Sequence, residues 1–131
     1  MTQEDKELLL KDICARLPYG IIVGTDKGKG HACDINLTIF GTEIGVNINP
    51  TVRDIFSINH VKPYLLPLSS MTEEEWEDYQ KIRMIDWVHG DINGTFINAG
   101  LIVDWLNAHH FDYHGLIPMD LAIDATGLNI Y

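Results

Sequence analysis

The sequence predicts a single α+β domain, in which the strands cluster together between helices. The chain has 131 residues, of which 46% are hydrophobic and 21% are charged, and this suits one domain (1–131) with one core. Strand-like alternation is concentrated in positions 21–58, whereas helical spacing of apolar residues occurs before and after it. Grouped strands are typical of α+β folds. We therefore expect an N-terminal helix, an antiparallel sheet of three to four strands, two C-terminal helices and a short tail.

The first predicted element is a helix that begins after Thr2 and ends before Pro18. Threonine is a good N-cap, and proline cannot continue a helix. Apolar side chains recur at helical spacing and form one stripe, which consists of Leu9, Leu10, Ile13, Cys14 and Leu17. The pattern therefore predicts that Cys14 is a small buried residue with a reduced thiol.

The predicted sheet begins with a short strand at 21–23. Beyond a glycine-rich loop at 24–30, strict alternation predicts a strand with four buried side chains, namely Cys33, Ile35, Leu37 and Ile39. Alternation resumes after Gly41–Thr42, so the two runs are predicted to form a hairpin. A further antiparallel strand is predicted at 52–58. Two prolines, Pro63 and Pro67, predict an edge strand or an extended connector between them.

Two helices and a tail are predicted in the C-terminal half. Thr72 and Glu75 have the spacing of a capping box, and Met71 can pack on Trp76 as a hydrophobic staple. This helix is expected to end near residue 85, with an inner stripe made of Trp76, Tyr79 and Ile82 or Arg83. A turn is predicted at 91–95 and a last helix at 96–109, with Ile97, Leu101, Trp105 and Ala108 in the core. The weakly alternating tail predicts a last strand or an ordered arm.

The charge balance argues against several classes of partner. There are 19 acidic and 9 basic side chains, for a net charge of −10, and no Lys or Arg follows Arg83. Phosphate backbones and anionic membrane surfaces are bound by clustered Lys and Arg, so neither is an expected partner. The sequence predicts a cytoplasmic protein. The chain starts with polar residues, has no apolar run of about 18 residues and has only two cysteines.

The glycine-rich loop at 24–30 invites comparison with a phosphate-binding loop. A P-loop has four residues between its first glycine and Gly-Lys, and then Ser or Thr. Here Gly24 and Gly28 enclose three residues, Lys29 is followed by Gly30, and the segment leads into a strand instead of a helix. The sequence therefore favours a hairpin connection over a nucleotide site.

One segment is dense in side chains that can bind a metal. It contains His109, His110, Asp112 and His114, and imidazole and carboxylate groups suit zinc, iron or nickel. Helical metal motifs place their ligands at i and i+4, whereas His109 and His110 point about 100° apart on a helix. Capping of a helix C-terminus by histidine needs no metal. The capping interpretation is favoured, and a metal-dependent enzyme remains an alternative.

No complete catalytic constellation is found, so no catalytic residue and no cofactor are predicted. His31 and Cys33 are spaced to share one side of a strand, but Cys33 falls in the alternation that predicts burial, and a reactive thiol needs exposure. No Gly-x-Ser-x-Gly motif occurs. The acids at 73–78 suit a solvated helix face better than a pair of catalytic carboxylates. They also leave open a second alternative, an acidic inhibitor that mimics nucleic acid.

Two longer segments resemble known proteins. KPYLLPLSSMTEEE at 62–75 and DWLNAHHFDYHGLI at 104–117 resemble stretches in small proteins from prophages and mobile elements of gut anaerobic bacteria, and the passage at 8–23 is similar too. Together they cover somewhat under half of the chain. The resemblance implies a phage-associated accessory protein of uncharacterised function, and it supplies no activity, ligand or catalytic residue.

The leading hypothesis from the sequence is a non-enzymatic protein-interaction module. It rests on the lack of a catalytic constellation, on the acidic helix and on the edge-strand signals at 64–67. The expected partner is a host or phage protein.

Overall fold

A computed structural model of the chain describes residues 1–49, 51–88 and 95–131, with side chains described outside 84–99. The helices are α1 (Gln3–Arg16), α2 (Glu73–Val88) and α3 (Thr95–Ala108). The strands are β1 (Ile22–Thr25), β2 (Gly28–Thr38), β3 (Gly41–Asn49), β4 (Val52–Ser57), β5 (Lys62–Leu65) and β6 (Ile123–Asp124). This arrangement confirms the α+β class, the N-terminal helix and the two later helices. No helix in the described ranges has the length and apolarity to cross a bilayer.

The sheet is larger than predicted, and it is mixed. Within the described ranges it has six strands in the order β4-β3-β2-β1-β5-β6. Neighbouring strands are antiparallel except β5 and β6, which are parallel. The prediction of an antiparallel sheet of three to four strands was therefore wrong in number and in direction. Strand β6 has two residues, too few to produce an alternation that a sequence pattern can reveal.

Strand β5 lies inside the sheet, although its prolines predicted an edge or a connector. It pairs with β1 through Val23↔Pro63 and Gly24↔Lys62, and with β6 through Tyr64↔Ile123 and Leu65↔Asp124. Proline is excluded from long central strands because it cannot donate to the ladder. Strand β5 forms only two residue pairs with each neighbour, so few of its backbone N–H groups must donate hydrogen bonds. Pro63, which has no N–H, is therefore tolerated there.

The core combines the inner face of the sheet with α1 and residues near the C-terminus. Its fully buried apolar side chains are Leu9, Ile13, Ile21, Val23, Ile44, Val46, Val61, Leu65 and Leu116. Each such side chain contributes about 1.5–3 kcal/mol relative to an exposed one. These side chains form one cluster that joins α1, the sheet and residues near the C-terminus, and the single domain (1–131) stays a prediction.

The inner face of α1 is rotated relative to the predicted stripe. Thr2 and Asp5 form a capping box, with Asp5 N–Thr2 Oγ1 at 3.1 Å and Thr2 N–Asp5 Oδ2 at 3.0 Å. Cys14 is exposed, and the prediction that it is buried was wrong. The buried side of the helix includes the charged residues Asp12 and Arg16. A hydrophobic pattern assigns charged residues to solvent, so it placed the centre of the inner face too far toward Cys14.

A β-bulge in β2 overturns the predicted burial of Cys33. The register with β3 shifts between Ala32 and Asp34, so Ala32 and Ile35 both face the core while Cys33 is exposed. One extra residue in a strand reverses the alternation beyond it. Leu37 shares the side of Ile35 but extends past the core, and it is 80% exposed.

The turn of the β2–β3 hairpin is also displaced from its predicted position. Thr38 pairs with Gly41, so the turn residues are Ile39 and Phe40 instead of Gly41 and Thr42. Gly41 has φ +111°, a conformation that other residues rarely adopt, and β3 begins there. The predicted burial of Ile39 was wrong because a turn residue projects into solvent.

The helix α2 begins as predicted, but one member of its predicted inner stripe is exposed. Thr72 and Glu75 form the capping box, at 3.1 Å for Glu75 N–Thr72 Oγ1 and 3.0 Å for Thr72 N–Glu75 Oε1. Trp76 is 49% exposed and does not belong to an inner stripe. The helix continues to Val88, past the predicted end near residue 85.

The order of elements at the end of the chain agrees with the prediction, whereas the predicted core face of the last helix was wrong at two positions. The predicted turn at 91–95 lies outside the described residues except for Thr95, where α3 begins one residue before the predicted start. Leu101 is 48% exposed instead of buried, Ala108 is also exposed, and the side chain of Ile97 lies outside the described ones. The tail contains the short strand β6, which agrees with the first of its two predicted forms, a last strand or an ordered arm.

Candidate functional site

The segment that follows α3 holds the predicted metal ligands, and it is tied to the sheet through its backbone. Leu66 N–H donates to His110 O at 2.8 Å, and Asp112 N–H donates to Leu66 O at 2.8 Å. These two bonds form a parallel bridge between Leu66 and Phe111, just beyond the end of β5. The histidine segment is therefore part of the folded framework.

The first two histidines of this segment stack on different aromatic rings. The ring of His109 lies 4.1 Å from that of Trp105, and its Nδ1 is 2.9 Å from Trp105 O. The ring of His110 lies 3.5 Å from that of Tyr131, with 10° between the planes. The bond from His109 to a carbonyl in the last turn of α3 is the histidine capping that the sequence favoured.

The other two candidate ligands also have separate partners. Asp112 accepts hydrogen bonds from the backbone of Leu116 at 2.8 Å and of Ile117 at 2.9 Å. His114 Nδ1 lies 2.8 Å from Asp12 Oδ1. Among the side chains that the structure describes, no three of His, Cys, Asp or Glu are placed to share a metal ion. The metal site at His109, His110, Asp112 and His114 thus stays a prediction to which this geometry lends no support.

A buried ion pair on α1, which sequence reasoning missed, holds the histidine segment in place. Asp12 and Arg16 are both 0% exposed, with Arg16 Nε–Asp12 Oδ2 at 2.9 Å and Arg16 Nη2–Asp12 Oδ1 at 3.1 Å. Arg16 Nη2 also donates to Phe111 O at 2.6 Å. The pair thus connects α1 to a segment almost one hundred residues away along the chain. The only signal in the sequence was the i, i+4 spacing of Asp12 and Arg16.

Further contacts surround this pair. The Arg16 guanidinium carbon lies 5.1 Å from the centre of the Tyr113 ring, and the Tyr113 hydroxyl donates to Asn107 Oδ1 at 2.8 Å. Burial raises the pKa of Tyr113, so its hydroxyl stays a donor at neutral pH. Arg16 Nη1 is buried and makes no hydrogen bond to the described residues. The arrangement is a structural clamp, in which each charge compensates the desolvation of the other.

His110 and Tyr131 form a second buried contact. His110 is 9% exposed, and its Nδ1 has no hydrogen-bond partner among the described residues. Burial and the positive charge of Arg16 lower the pKa of His110 to about 4. The ring therefore packs against Tyr131 in its neutral form.

The hydroxyl of Tyr131 fills the space where β1 and β5 separate. It accepts from Ile22 N at 3.0 Å and donates to Tyr64 O at 2.7 Å. Although Tyr131 as a whole is 44% exposed, this hydroxyl is enclosed by the two strands, and burial raises the pKa of Tyr131 to about 12. The hydroxyl satisfies backbone groups that would otherwise lose their hydrogen bonds.

Substitution of Tyr131 by phenylalanine is expected to destabilise the fold by about 1–3 kcal/mol, because two backbone groups lose a buried partner. Because the folded-state pKa lies above the ordinary value of 10, this stabilisation is complete below pH 10 and is lost as the pH rises toward 12. Urea unfolding at neutral and alkaline pH measures both effects. Tyr19→Phe is the control, since Tyr19 is similarly exposed, at 37%, and its hydroxyl makes no hydrogen bond to the described residues. Equal stability of Tyr131→Phe and the control at neutral pH would contradict the expectation.

A line of aromatic rings leads from the buried segment to the surface. We call it the aromatic ladder, and it consists of Phe111, Trp105, Tyr79 and Trp76. Successive ring centres are 5.7, 5.8 and 5.8 Å apart, within the range of favourable aromatic pairs. Phe111 is fully buried, whereas Trp76 is 49% exposed. The ladder attaches α2 to α3 and α3 to the core, and it ends in a half-exposed tryptophan.

The exposed end of the ladder lies on the most acidic part of the chain. Residues 71–131 carry eleven acids and two bases, against eight acids and seven bases in residues 1–70. Of the four exposed acids among the described side chains of α2, Glu73 and Glu77 project about 60° and 100° around the helix from Trp76, whereas Glu74 and Asp78 project from its far side. We call Trp76 with Glu73 and Glu77 the acidic aromatic surface. It combines a large apolar group with a negative field, which suits a cationic ligand.

The remaining candidates from the sequence do not form a reactive site in the described structure. Cys33 Sγ lies 3.2 Å from Gly45 O, and the bulge at Cys33 breaks the simple alternation that aligned it with His31. Next to Cys33, Asp34 accepts from Arg53 Nε at 2.8 Å, and this bond lowers the pKa of Asp34. The glycine-rich loop is confirmed as a hairpin connection, because Thr25 pairs with Gly28.

Comparison of the chain with protein-family models, with curated proteins and with solved structures gave no match.

Proposed function

We propose that this chain is a non-enzymatic interaction module, of the phage- or mobile-element-associated kind that the resemblance implies, and that it binds a host or phage protein through the acidic aromatic surface. The observation that carries the proposal is the 49% exposure of Trp76 beside the exposed acids Glu73 and Glu77, on a helix that also exposes the bases Lys81 and Arg83. Tryptophan is a frequent hot spot of protein interfaces. The edge-strand argument no longer contributes, because β5 lies inside the sheet.

The aromatic ladder supports this proposal, because it holds Trp76 in a defined position. Tyr79 packs between Trp76 and Trp105, and Trp105 packs on the fully buried Phe111. A side chain that is ordered before binding loses less conformational entropy on association. Trp76 is therefore better suited to an interface than a freely rotating surface residue.

The charge around Trp76 indicates which part of a partner binds there. Lys or Arg can lie against the ring of a tryptophan, and carboxylates nearby add to the attraction. The preferred ligand is therefore a basic segment of the partner protein. Its association should be faster at low ionic strength, since opposite charges steer the encounter.

The proposed location is the cytoplasm. Both cysteines are free and exposed, and such thiols persist in a reducing compartment.

The test measures binding of a fluorescent Arg- and Lys-rich peptide by anisotropy over a range of salt concentrations. Trp76→Ala is expected to weaken binding roughly 30-fold, as loss of an interface hot spot does. Glu73→Gln/Glu77→Gln is expected to weaken binding and to reduce its salt dependence. The matched control is Glu4→Gln/Asp120→Asn, which also removes two exposed charges, one of them in the first turn of a helix.

Two results would contradict the proposal. One is equal peptide affinity of Trp76→Ala and the wild-type chain. The other is an equal loss of affinity in the two charge variants, which would show that net charge alone attracts the peptide. In the native host, the wild-type chain and the control variant Glu4→Gln/Asp120→Asn must both capture a genuine partner, and Trp76→Ala must not. The captured protein must bind through a basic segment.

A further inference from the structure

The β2–β3 hairpin exposes large apolar side chains at its tip. Leu37 is 80% exposed, Ile39 94% and Phe40 88%. The turn is nevertheless ordered by its own hydrogen bonds. The Thr38 hydroxyl donates to Gly41 O at 3.1 Å and accepts from Phe40 N at 3.1 Å. Exposed apolar groups on an ordered turn are unfavourable in water, and they mark interaction sites when they cluster.

A cleft opens directly beside this tip, between α1 and the base of the hairpin. Its volume is about 170 Å³. The residues that line it include Lys6, Glu7, Leu10, Phe40, Thr42 and Ile58. Gln3, Ser57 and Asn59 also line the cleft, so its wall is mixed, with Leu10, Phe40 and Ile58 as the large apolar side chains. A volume of about 150 Å³ can hold a benzene ring, so one aromatic side chain fits by size and can contact these three residues.

The tip and the cleft adjoin each other, because Phe40 itself forms part of the cleft wall. A two-fold dimer requires a self-complementary patch in which each copy offers the same projection and the same recess. Such a patch also contains Lys6 and Glu7, side by side in α1. A two-fold axis that sets the two α1 helices antiparallel brings Lys6 of one copy toward Glu7 of the other.

The charge distribution indicates that the occupant is a second copy. The hairpin and the cleft belong to residues 1–70, whose eight acids and seven bases nearly cancel. Of the residues that line the cleft, Lys6 and Glu7 are the charged ones, so the patch carries no net charge of its own and two copies can meet there without local repulsion. A strongly charged partner finds no complementary field at the hairpin.

We infer that the Ile39–Phe40 tip and the adjacent cleft form a two-fold interface between two copies of this chain, in which the tip of each copy enters the cleft of the other. This interface is separate from the acidic aromatic surface, so the two proposals stand or fall independently. A dimer would present two acidic aromatic surfaces to a partner.

Sedimentation equilibrium over a range of protein concentrations tests the inference. The wild-type chain is expected to reach a dimer, and Phe40→Ser is expected to raise the dissociation constant at least about 30-fold. Leu128→Ser is the control, since Leu128 is also an exposed apolar residue, 46% exposed, away from the tip and the cleft. Its dimer is expected to be unchanged. Should Phe40→Ser fail to fold by circular dichroism, Ile39→Ser takes its place.

Complementation distinguishes this interface from a general loss of apolar surface. Asn59→Trp places a bulky ring in the cleft and leaves the tip intact, so this variant alone is expected to be monomeric. Mixed with Ile39→Ser, whose cleft keeps its own Phe40 in the wall, it is expected to form a mixed dimer, in which its intact tip enters the open cleft of the other variant. A wild-type chain that stays monomeric at every concentration, tip variants that dimerise like the wild type, or a mixture without mixed dimers would each overturn the inference.

Discussion

Replacement of Asp12 by alanine is expected to lower the free energy of unfolding by about 3–5 kcal/mol, because it leaves the guanidinium of Arg16 charged and buried without its partner. Both side chains are 0% exposed, so water cannot take the place of the lost carboxylate without opening the fold. The same substitution removes the acceptor 2.8 Å from His114 Nδ1. Urea unfolding of the two chains measures the difference.

The control for this prediction is an ion pair at the surface. Asp120→Asn removes the charge that pairs with Lys62, in a pair whose side chains are 92% and 39% exposed, and asparagine suits the positive φ of this position, so the variant is expected to cost at most about 1 kcal/mol. The double variant Asp12→Leu/Arg16→Met should recover part of the lost stability, because it leaves no buried charge, but Phe111 O and His114 still lose their partners. If Asp12→Ala were no more destabilising than Asp120→Asn, the clamp would not stabilise the fold.

The stability of the chain is expected to fall by up to about 3 kcal/mol between pH 6.5 and pH 4 through His110 alone. Its pKa in the folded state is lowered to about 4 from the ordinary 6.5. The unfolded chain therefore binds a proton at His110 before the folded chain does. The stabilisation due to the neutral ring is complete above pH 6.5 and is lost as the pH falls toward 4.

The variant His110→Phe isolates this contribution. Phenylalanine retains a ring against Tyr131 but cannot be protonated, so the stability difference between the wild type and this variant should change with pH over that interval. The charged groups that act on His110, Arg16 and His109, are present in both chains. His60→Phe is the control, because the side chain of His60 is 59% exposed. A difference between wild type and His110→Phe that stays constant from pH 7 to pH 4 would refute the assignment.

The Asp12–Arg16 clamp also helps to position the acidic aromatic surface. Arg16 binds the carbonyl of Phe111, and the ring of Phe111 supports Trp105 at the base of the aromatic ladder. Loss of the clamp is therefore expected to disturb Trp76 through the ladder. Peptide binding by the acidic aromatic surface should weaken in Asp12→Ala even where the chain remains folded.

Features that depend on neighbouring residues were predictable from the sequence. The capping box of Thr72 and Glu75 formed as expected, because its two hydrogen bonds join residues three positions apart. The connection at Thr25 and Gly28 was recognised as a hairpin from its glycines and its position before a strand. The α+β class followed in the same way from the order of the patterns along the chain.

The candidate site was predictable in part. The sequence located the segment at 109–114 as chemically dense, and it favoured capping for histidines at the end of α3, as His109 shows. It did not reveal that Asp12 and Arg16 are buried against that segment, because hydrophobic patterns assign charged residues to solvent. Nor did it reveal that Trp76 is exposed, because a helical stripe does not show which of its members find a neighbour.

The sequence by itself therefore determined the fold class, the helix starts and the uneven distribution of charge, all of which depend on composition or on short-range contacts. Only the tertiary structure decided the bulge at Cys33, the place of β5 inside the sheet, the burial of the Asp12–Arg16 pair and the exposure of the hairpin tip. Each of these depends on which distant segments meet. The free energy of such a contact depends on both segments, so the sequence of one segment alone does not predict it.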